Sequence, residues 1–263
     1  MRGAPPPLPV LRGNALDSAG FRHGFSTRAG GVSAPPFDTC DFALLRDPAA
    51  LRENQARLGA AVGFDPERLF QARQVHGARV LEPLRPRDEI EAEEADALWA
   101  RAGSGAAVAV RVADCVPVLV ACDATGSVAA VHAGWRGVVA GVVGAALDAL
   151  GPERDGLVAA IGPCIGACCF EVGLEVAEQI ERVTDASARD RVIRERRGDK
   201  AWVDLRVAVR SQLVAAGVAH ARIDDVPSGA GPEACTRCNA EAFYSYRRDG
   251  DDSGRLIAVI CPR

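Results

Sequence analysis

Two histidines and one cysteine stand in the most distinctive local segments of the chain. His76 lies in Gln-Val-His-Gly (74–77), Cys115 in Ala-Asp-Cys-Val-Pro (113–117) and His132 in His-Ala-Gly-Trp-Arg-Gly (132–137). Two imidazoles and one thiolate form a three-ligand set with an open fourth position, which is typical of a catalytic zinc site. The separations of 39 and 17 residues leave the convergence of these side chains to the tertiary structure.

The same residues have other interpretations. Cys115 is also a candidate nucleophile activated by His132, because a neighbouring imidazole lowers a thiol pKa and the thiolate is the reactive form. A free cysteine is commonly an inert buried side chain, and a single histidine is commonly a satisfied core or surface residue. Asp114 could orient a histidine, protonate a leaving group or form a turn. Arg136 suits oxyanion binding and a surface salt bridge about equally well.

Four further cysteines occur in pairs. Cys235 and Cys238 have the spacing of a metal-binding pair, but the sequence shows neither a second such pair nor a nearby histidine to complete the site. We therefore predict a structural role for them. The adjacent Cys168 and Cys169 receive no functional assignment.

The candidate residues lie between segments with clear secondary-structure patterns. Asp47-Pro48, an apolar helical repeat and Gly63 predict one helix, and Trp135 to Leu150 predicts another. Further helices are predicted near Leu174–Val183 and Asp204–Ala216. Several predicted strands are apolar without alternation, which indicates strands covered on both faces. The predicted strands are Arg68–Val75, Ala78–Leu81, Ala106–Val112, Val116–Cys122, Val128–Val131, Leu157–Ile161 and Leu256–Cys261.

This order of elements predicts a mixed α/β fold, α+β-like, in one domain. The length of 263 residues and the 48% apolar content suffice for a large core without disulfides. We assign residues 1–15 to an irregular Pro-rich leader and residues 16–263 to a single catalytic domain.

Composition excludes several function classes. The 35 acidic and 31 basic residues nearly balance, so neither a nucleic-acid partner nor a membrane partner is predicted. Lys200 is the one lysine, which disfavours Schiff-base and P-loop chemistry. The odd number of cysteines, nine in a long chain, favours reduced thiols and a cytoplasmic location.

The motifs together resemble those of the YfiH family, also called the polyphenol oxidase "laccase domain" or peptidoglycan editing factor family. The resemblance covers nearly the whole chain, in order. The matching segments are Phe-Ser-Thr-Arg (25–28), Gly-Gly-Val-Ser (30–33), the three segments around His76, Cys115 and His132, Ala-Asp-Ala (95–97), Gly-Pro-Cys-Ile-Gly (162–166), Phe-Glu-Val-Gly (170–173) and Phe-Tyr-Ser-Tyr-Arg-Arg-Asp (243–249).

The resemblance implies an α/β/β/α sandwich similar to the cysteine-hydrolase-like fold of cytotoxic necrotizing factor toxins. It implies zinc, with copper as the alternative metal, at His76, Cys115 and His132. The implied activity is phosphorolysis of adenosine, inosine, guanosine or methylthioadenosine, with adenosine deamination as a second activity. The implied partners are therefore purine nucleosides and phosphate.

From these motifs we assign Cys115, His132 and Asp114 to catalysis. Substrate or phosphate binding is expected of Ser26, Arg28, Gly31, Gln74, Arg136 and Cys164. Phosphate would be held by Arg28, Arg136 and the Gly30-Gly31 turn while the glycosidic bond breaks through an oxocarbenium-like state. For deamination, zinc would activate the water that attacks purine C6.

Three rival functions remain at the level of sequence. A multicopper oxidase needs more histidines than the four present, so a copper-dependent polyphenol oxidase would have to work with a smaller copper site. A metal-free hydrolase would use Cys115 as its nucleophile, for example on a cell-wall peptide. A non-enzymatic editing protein would use any zinc structurally. The preferred base, the pathway and the oligomeric state are not predicted.

Overall fold

The computed structural model describes residues 8–229 and 231–263. Within these ranges the strands are β1 (Val10–Leu11), β2 (His23–Ser26), β3 (Leu69–Phe70), β4 (Val80–Leu81), β5 (Ala97–Ala100), β6 (Ala107–Val112), β7 (Val116–Cys122), β8 (Val128–Ala133), β9 (Leu157–Ile161), β10 (Glu171–Gly173), β11 (Ile193–Arg197), β12 (Lys200–Val203), β13 (Ile223–Asp225) and β14 (Leu256–Ile260). The helices are α1 (Asn14–Ser18), α2 (Pro48–Val62), α3 (Arg87–Ala92), α4 (Trp135–Val139), α5 (Val142–Ala149), α6 (Leu174–Val183), α7 (Arg189–Val192), α8 (Leu205–Ala215) and α9 (Tyr246–Asp249).

The described strands form three sheets. The five-stranded sheet has the order β1-β2-β14-β6-β3, and the six-stranded sheet has the order β13-β9-β7-β8-β5-β4. A small third sheet has the order β10-β12-β11, and Ala201 and Val203 of β12 belong to the buried cluster on one side of the six-stranded sheet. Most pairs in the two large sheets are antiparallel, while β3–β6, β4–β5 and β9–β13 are parallel.

The two large sheets pack face to face with helices outside. Side chains of β6 and β14 meet those of β7 and β8 in one buried cluster, which is the layer between the sheets. On the outer side of the five-stranded sheet, α2 packs on β6 and β14. Helices α5, α6 and α8 cover the outer side of the six-stranded sheet. The predicted mixed α/β fold and its α/β/β/α layers are therefore confirmed.

Strand β7 shows why the buried segments lack alternation. All seven of its residues are buried, since Leu119 and Ala121 face the layer between the sheets while Val118 and Val120 face the outer helices. Successive strand side chains point to opposite faces, so a strand covered on both sides needs apolar residues throughout.

Local signals placed α2 correctly. The Asp47 carboxylate accepts hydrogen bonds from the backbone N–H groups of Ala49 and Ala50, and Pro48 occupies the first turn. Gly63 ends the helix in the left-handed region, with φ of 90°.

Three predicted elements are wrong in extent. The strand predicted over Ala78–Leu81 comprises only Val80–Leu81. The predicted helix Trp135–Leu150 is broken at Gly141, whose φ of 83° ends α4 and starts α5. The predicted strand Arg68–Val75 stops at Phe70. Beyond it, the Gln74 side-chain amide donates to the Arg111 carbonyl oxygen (2.7 Å) and accepts from the Arg111 N–H (2.8 Å). This side-chain pairing takes the place of a backbone ladder and leaves the following residues free to form a loop.

The prediction of an irregular leader over residues 1–15 is also wrong in part. Residues 1–7 lie outside the described ranges. Val10 and Leu11 form β1 and pair with Ser26 and Phe25 of β2, and α1 begins at Asn14. The domain assignment of residues 16–263 stays a prediction. Among the described residues, no helix combines the length and apolar character that a membrane crossing requires.

Candidate metal centre and its cavity

Three separate elements bring His76, Cys115 and His132 together. His76 lies in the loop after β3, Cys115 in the short connection from β6 to β7, and His132 on β8. One ligand atom from each side chain lies within 4.8 Å of the others. The two imidazole rings meet edge to face, with centroids 4.9 Å apart. The structure thus assembles the two-histidine, one-cysteine group from residues far apart in sequence.

A buried carboxylate, Asp96, holds two of the three donors in place. Its Oδ1 accepts from His132 Nδ1 (2.8 Å) and from the backbone N–H of His76 (2.8 Å). Its Oδ2 accepts from the N–H groups of Gly77 (2.7 Å) and Val75 (3.2 Å). Because Nδ1 of His132 is engaged, Nε2 is the ring nitrogen left to bind a metal.

Sequence reasoning gave Asp96 no role and considered Asp114 as the residue that orients a histidine. The available signal was a carboxylate inside an otherwise apolar segment, Ala95–Ala100. Such a buried charge requires hydrogen-bond partners. Those partners come from the loop at 75–77 and from β8, so only the folded chain identifies them.

The backbone around the group is conformationally unusual. His76 and Asp114 have φ values of 62° and 86°, a region that residues other than glycine rarely occupy. A Cβ on Gly134 would lie 2.8 Å from His76 Cδ2 and 3.0 Å from Cys115 Sγ. A glycine at position 134 therefore leaves room for the donors to approach one another. The positive φ values of His76 and Asp114 are strained backbone conformations, and both lie at the candidate site.

The thiol and the imidazole alter each other's ionisation. Burial by itself raises the pKa of Cys115, but the charge and hydrogen bonds of His132 and His76 outweigh burial and lower it to about 6. Burial likewise lowers the pKa of His132, while the Cys115 thiolate and Asp96 raise it to about 9. The surroundings therefore favour the thiolate, which is the form that binds metals.

Asp114 connects the group to the C-terminal part of the chain. Its Oδ1 accepts from Thr236 Oγ1 (2.6 Å), and its Oδ2 accepts from the Arg247 N–H (2.6 Å). Both carboxylate oxygens are thus engaged by the 236–247 segment. This arrangement fixes the β6–β7 connection that presents Cys115.

The group opens into a cavity of about 920 Å³. Although the chain has a net charge of −4, the cavity wall has six arginines and two carboxylates, which makes it locally basic. The other wall residues include several apolar side chains. The charged wall residues are Arg46, Arg73, Arg111, Arg136, Arg247, Arg255, Glu91 and Asp114, and the larger apolar ones are Leu44, Leu45, Ile165, Phe170 and Tyr246.

Of the residues expected to bind substrate or phosphate, Gln74 and Arg136 lie in this wall. Arg136 stacks on the Trp135 ring, with Cζ 4.5 Å from the centroid. Its guanidinium forms no hydrogen bond or ion pair with residues 8–229 or 231–263. Gln74 is occupied by its pairing with the Arg111 backbone.

The other four expected residues lie outside the cavity wall, and their role in binding substrate or phosphate stays a prediction. Ser26 is buried and accepts from the Ile257 N–H (3.0 Å) as part of the five-stranded sheet. Arg28 donates to the carbonyl oxygens of Asp38 and Ala240 beside a separate surface depression. Gly31 packs against Thr39 and Asn54, and Cys164 is a buried core residue that accepts from Arg206. Arg28 and Arg136 therefore line different depressions, and phosphate binding by the two together stays a prediction.

A second group of potential metal ligands occurs elsewhere. Cys168, Cys169, Cys235 and Cys238 place their sulfur atoms within 4.8 Å of one another. The sequence shows no partner pair for Cys235 and Cys238, and the fold brings the adjacent Cys168 and Cys169 to them from a loop distant in sequence. The structural role of Cys235 and Cys238 stays a prediction.

The donors at His76, Cys115 and His132 fit the metal implied by the sequence resemblance. One thiolate and two neutral imidazoles suit Zn²⁺ or copper, and a carboxylate that accepts a hydrogen bond from a ligating histidine, as Asp96 does from His132, is typical of such sites. The absence of a side chain at Gly134 leaves the space beside these three side chains free.

Fold and site together define a class of α/β/β/α protein with a two-histidine, one-cysteine donor group in an arginine-lined cavity. The family described as multi-copper polyphenol oxidoreductase laccase matches residues 22–263, and the chain belongs to this family.

Similar proteins cover almost the whole chain. A purine nucleoside phosphorylase of Deinococcus radiodurans is 38% identical over 97% of this chain and 93% of its own length. Adenosine deaminase RL5, from an unknown prokaryotic organism, is 40% identical over 80% of this chain and 82% of its own. The crystal structure of YlmD from Geobacillus stearothermophilus superimposes with a TM-score of 0.83 at 30% identity, covering 95% and 94% of the two chains.

Proposed function

We propose that this chain is a metal-dependent purine nucleoside phosphorylase with its active site at His76, Cys115 and His132. The observation that carries the proposal is the position of these three donors in the wall of a basic cavity. The phosphorylase and deaminase relatives support the choice of nucleosides as substrates. Zinc is the proposed metal, and adenosine, inosine, guanosine and methylthioadenosine are the proposed substrates.

The cavity suits the two substrates in different ways. The arginines attract phosphate. Among those in the wall, Arg136 is the one whose guanidinium makes no hydrogen bond or ion pair with the described part of the chain. Phe170 and Tyr246 offer aromatic surface for a purine base. The volume of about 920 Å³ lies within the range of small-molecule sites.

In phosphorolysis, a phosphate oxygen forms the bond to ribose C1′ while the C1′–N9 bond breaks. The electron pair of the broken bond leaves with the base, which takes up the proton that hydrogen phosphate gives up, so that ribose-1-phosphate and the neutral base are formed. The arginine charges hold the phosphate against C1′ and stabilise negative charge as it shifts. A zinc ion, when bound, supplies Lewis-acid polarisation of an oxygen atom. Asp96 keeps His132 in the tautomer that presents Nε2, and Asp114 holds the connection that carries Cys115.

The test is product analysis with zinc-loaded protein and adenosine, with and without phosphate. Adenine and ribose-1-phosphate that form only with phosphate support the phosphorylase, and inosine in either condition supports deamination. Cys115→Ser serves as the site control, and Cys122→Ala is the matched control for a cysteine outside the site. No product from protein with verified metal content would overturn the proposal, as would full activity and metal content in Cys115→Ser.

A metal-free cysteine hydrolase is the second candidate, and one geometric feature favours it. Cys115, His132 and Asp96 form a thiol–imidazole–carboxylate series, in which His132 Nδ1 contacts Asp96. Metal-free protein that forms a covalent Cys115 adduct with an amide substrate and releases its amine would support this candidate. A copper-dependent polyphenol oxidase has less support, since the described chain holds no histidine-rich cluster beyond His76 and His132.

A further inference from the structure

Four cysteines converge outside the cavity. Cys168 and Cys169 lie in the connection between β9 and β10, and Cys235 and Cys238 lie in the segment between β13 and α9. All four Sγ atoms lie within 4.8 Å of one another. The Sγ of Cys238 is 3.7 Å from that of Cys168 and 3.3 Å from that of Cys169.

The two segments are held in register by the backbone. Cys164 and Cys235 form an isolated parallel bridge, and the Thr236 N–H donates to the Cys164 carbonyl oxygen (3.1 Å). The Gly166 N–H donates to Cys235 Sγ (3.2 Å). A Cβ at Gly166 would lie 3.3 Å from Cys168 Sγ and 3.2 Å from Cys235 Cβ. The backbone therefore brings the thiols together and leaves the space that they need.

We propose that Cys168, Cys169, Cys235 and Cys238 bind one Zn²⁺ ion as a second, structural metal site. Tetrahedral coordination at a Zn–S distance of about 2.3 Å places thiolate sulfurs about 3.8 Å apart. The observed separations of 3.3 and 3.7 Å are close to this value and far from the S–S bond of about 2.05 Å in a disulfide. An iron–sulfur cluster would hold its ligands further apart, because several atoms stand between the thiolates.

Neighbouring groups suit a thiolate cluster. A Zn²⁺ ion with four thiolates has a net charge of −2, so cations and N–H donors stabilise it. Arg237 Nη1 lies 3.5 Å from Cys169 Sγ, and the Gly166 N–H points to Cys235 Sγ. Four protein ligands leave no open position, which is the arrangement of a structural site and not of a catalytic one.

The cluster connects to the cavity through one side chain. Thr236, between Cys235 and Cys238, donates to Asp114 Oδ1, and Asp114 precedes Cys115. The Arg248 guanidinium in turn donates to the Thr236 carbonyl oxygen (3.0 Å). The ion would therefore tie the 168–169 loop to the 235–238 segment, whose Thr236 is bonded to Asp114 in the β6–β7 connection.

The test counts metal ions per chain after purification under reducing conditions and reconstitution with Zn²⁺. The variant Cys168→Ser/Cys238→Ser alters the two most exposed thiols, so its core is preserved. Cys115→Ser removes the other donor group, and Cys122→Ala is the matched control. The proposal expects two ions in the wild type and in the control, and one ion in each of the other variants.

Co²⁺ loading distinguishes the two sites by their thiolates. The proposal expects that Cys115→Ser, with only the four-cysteine site, retains strong thiolate-to-Co²⁺ charge-transfer absorption. Cys168→Ser/Cys238→Ser should lose most of it. The proposal is overturned if the double variant binds as much Zn²⁺ as the wild type, if Cys115→Ser binds none, or if peptide mapping shows disulfides among the four cysteines. Nucleoside turnover is not among these readouts. If the group at His76, Cys115 and His132 binds no metal, the wild type and Cys115→Ser each retain one ion that the double variant loses, so failure of the proposed function is distinguished from failure of the four-cysteine site.

Discussion

Asp96 is the residue on which the geometry of the donor group depends most directly. It receives four hydrogen bonds, three from the 75–77 backbone and one from the His132 ring. Burial raises its pKa, but the bonds from His132 and from the loop outweigh burial and lower the pKa below its usual range. The carboxylate therefore stays ionised and fixes both the loop of His76 and the tautomer of His132.

Asp96→Asn should weaken Zn²⁺ binding at His76, Cys115 and His132 by about 10–100-fold, because the amide no longer fixes the imidazole as strongly. Competition with a chromophoric chelator measures this affinity. Glu91→Gln is the matched control, since Glu91 lies in the same cavity but accepts from Arg87. Equal affinities in both variants would contradict the role assigned to Asp96.

Arg136 tests the basic wall of the cavity. Under the proposed function, Arg136→Ala should raise the KM for phosphate about 10-fold or more, a loss of about 1.4 kcal/mol, with a smaller change in the KM for adenosine. Arg73→Ala is the control, because Arg73 lies in the same wall but pairs with Glu94 at 2.9 Å. Steady-state kinetics at varied phosphate concentration measures this rise in KM. An unchanged KM for phosphate would exclude Arg136 from phosphate binding.

The burial of His23, which lies outside the donor group, predicts that the free energy of unfolding depends on pH. His23 is fully buried on β2, where Nε2 accepts from the Gly13 N–H (2.8 Å) and Nδ1 contacts the Phe21 carbonyl oxygen (2.9 Å). Burial lowers its pKa below the usual value despite that carbonyl contact. The unfolded chain therefore binds a proton at a higher pH than the folded chain does.

The free energy of unfolding should consequently fall as the pH drops below about 6.5, by up to about 1.4 kcal/mol per pH unit. Urea unfolding between pH 7.5 and 5.5 measures the slope. His23→Gln removes this contribution and should flatten the curve, whereas the exposed His220, changed to Gln, should leave the slope as in the wild type. Parallel curves for all three proteins would refute the assignment.

At the scale of elements, loops between strands carry several of the functional side chains, and the long strands and helices hold these loops in position. His76 and Asp114 have positive φ values in loops, and the helix after His132 is interrupted at Gly141. An added Cβ at Gly141 or at Gly144 would meet no atom within 4 Å. The two glycines therefore differ in backbone conformation and not in packing.

Gly141→Ala should destabilise the fold by about 1–2 kcal/mol, because an L-residue is forced into the left-handed region. Gly144→Ala lies inside α5 and should stabilise the fold by about 0.5–1 kcal/mol, since alanine favours the helix. Urea midpoints at constant m value give both numbers. Equal shifts of the same sign would show that α4 and α5 tolerate a continuous helix.

At the scale of the whole molecule, three apolar layers hold the two sheets and the outer helices together. Leu119 is completely buried between the sheets. Leu119→Ala should cost about 2–5 kcal/mol, because it removes buried methyl groups and leaves a cavity. Leu84 is 73% exposed, so Leu84→Ala should lower the free energy of unfolding by less than about 0.5 kcal/mol. Chemical denaturation compares the two, and a small effect at Leu119 would mean that the inter-sheet layer relaxes.

Much of the fold follows from local signals. The cap at Asp47 and Gly63, the continuous apolar runs of β7 and β9, and the pattern of α6 predict elements that the structure confirms. Gly141 interrupts the predicted helix with a left-handed φ of 83°, a backbone conformation that apolar periodicity does not report.

The sequence by itself determined the types of residue that could bind a metal, the mixed α/β class and the buried strands, because these depend on side-chain chemistry and short-range periodicity. Only the tertiary structure decided which side chains meet. It brought together His76, Cys115 and His132, with Asp96 bonded to the two histidines. It placed Arg28 and Arg136 in different depressions, and it brought Cys168 and Cys169 close to Cys235 and Cys238. These contacts span tens of residues, so their distances follow from how the sheets and loops pack and not from spacing along the chain.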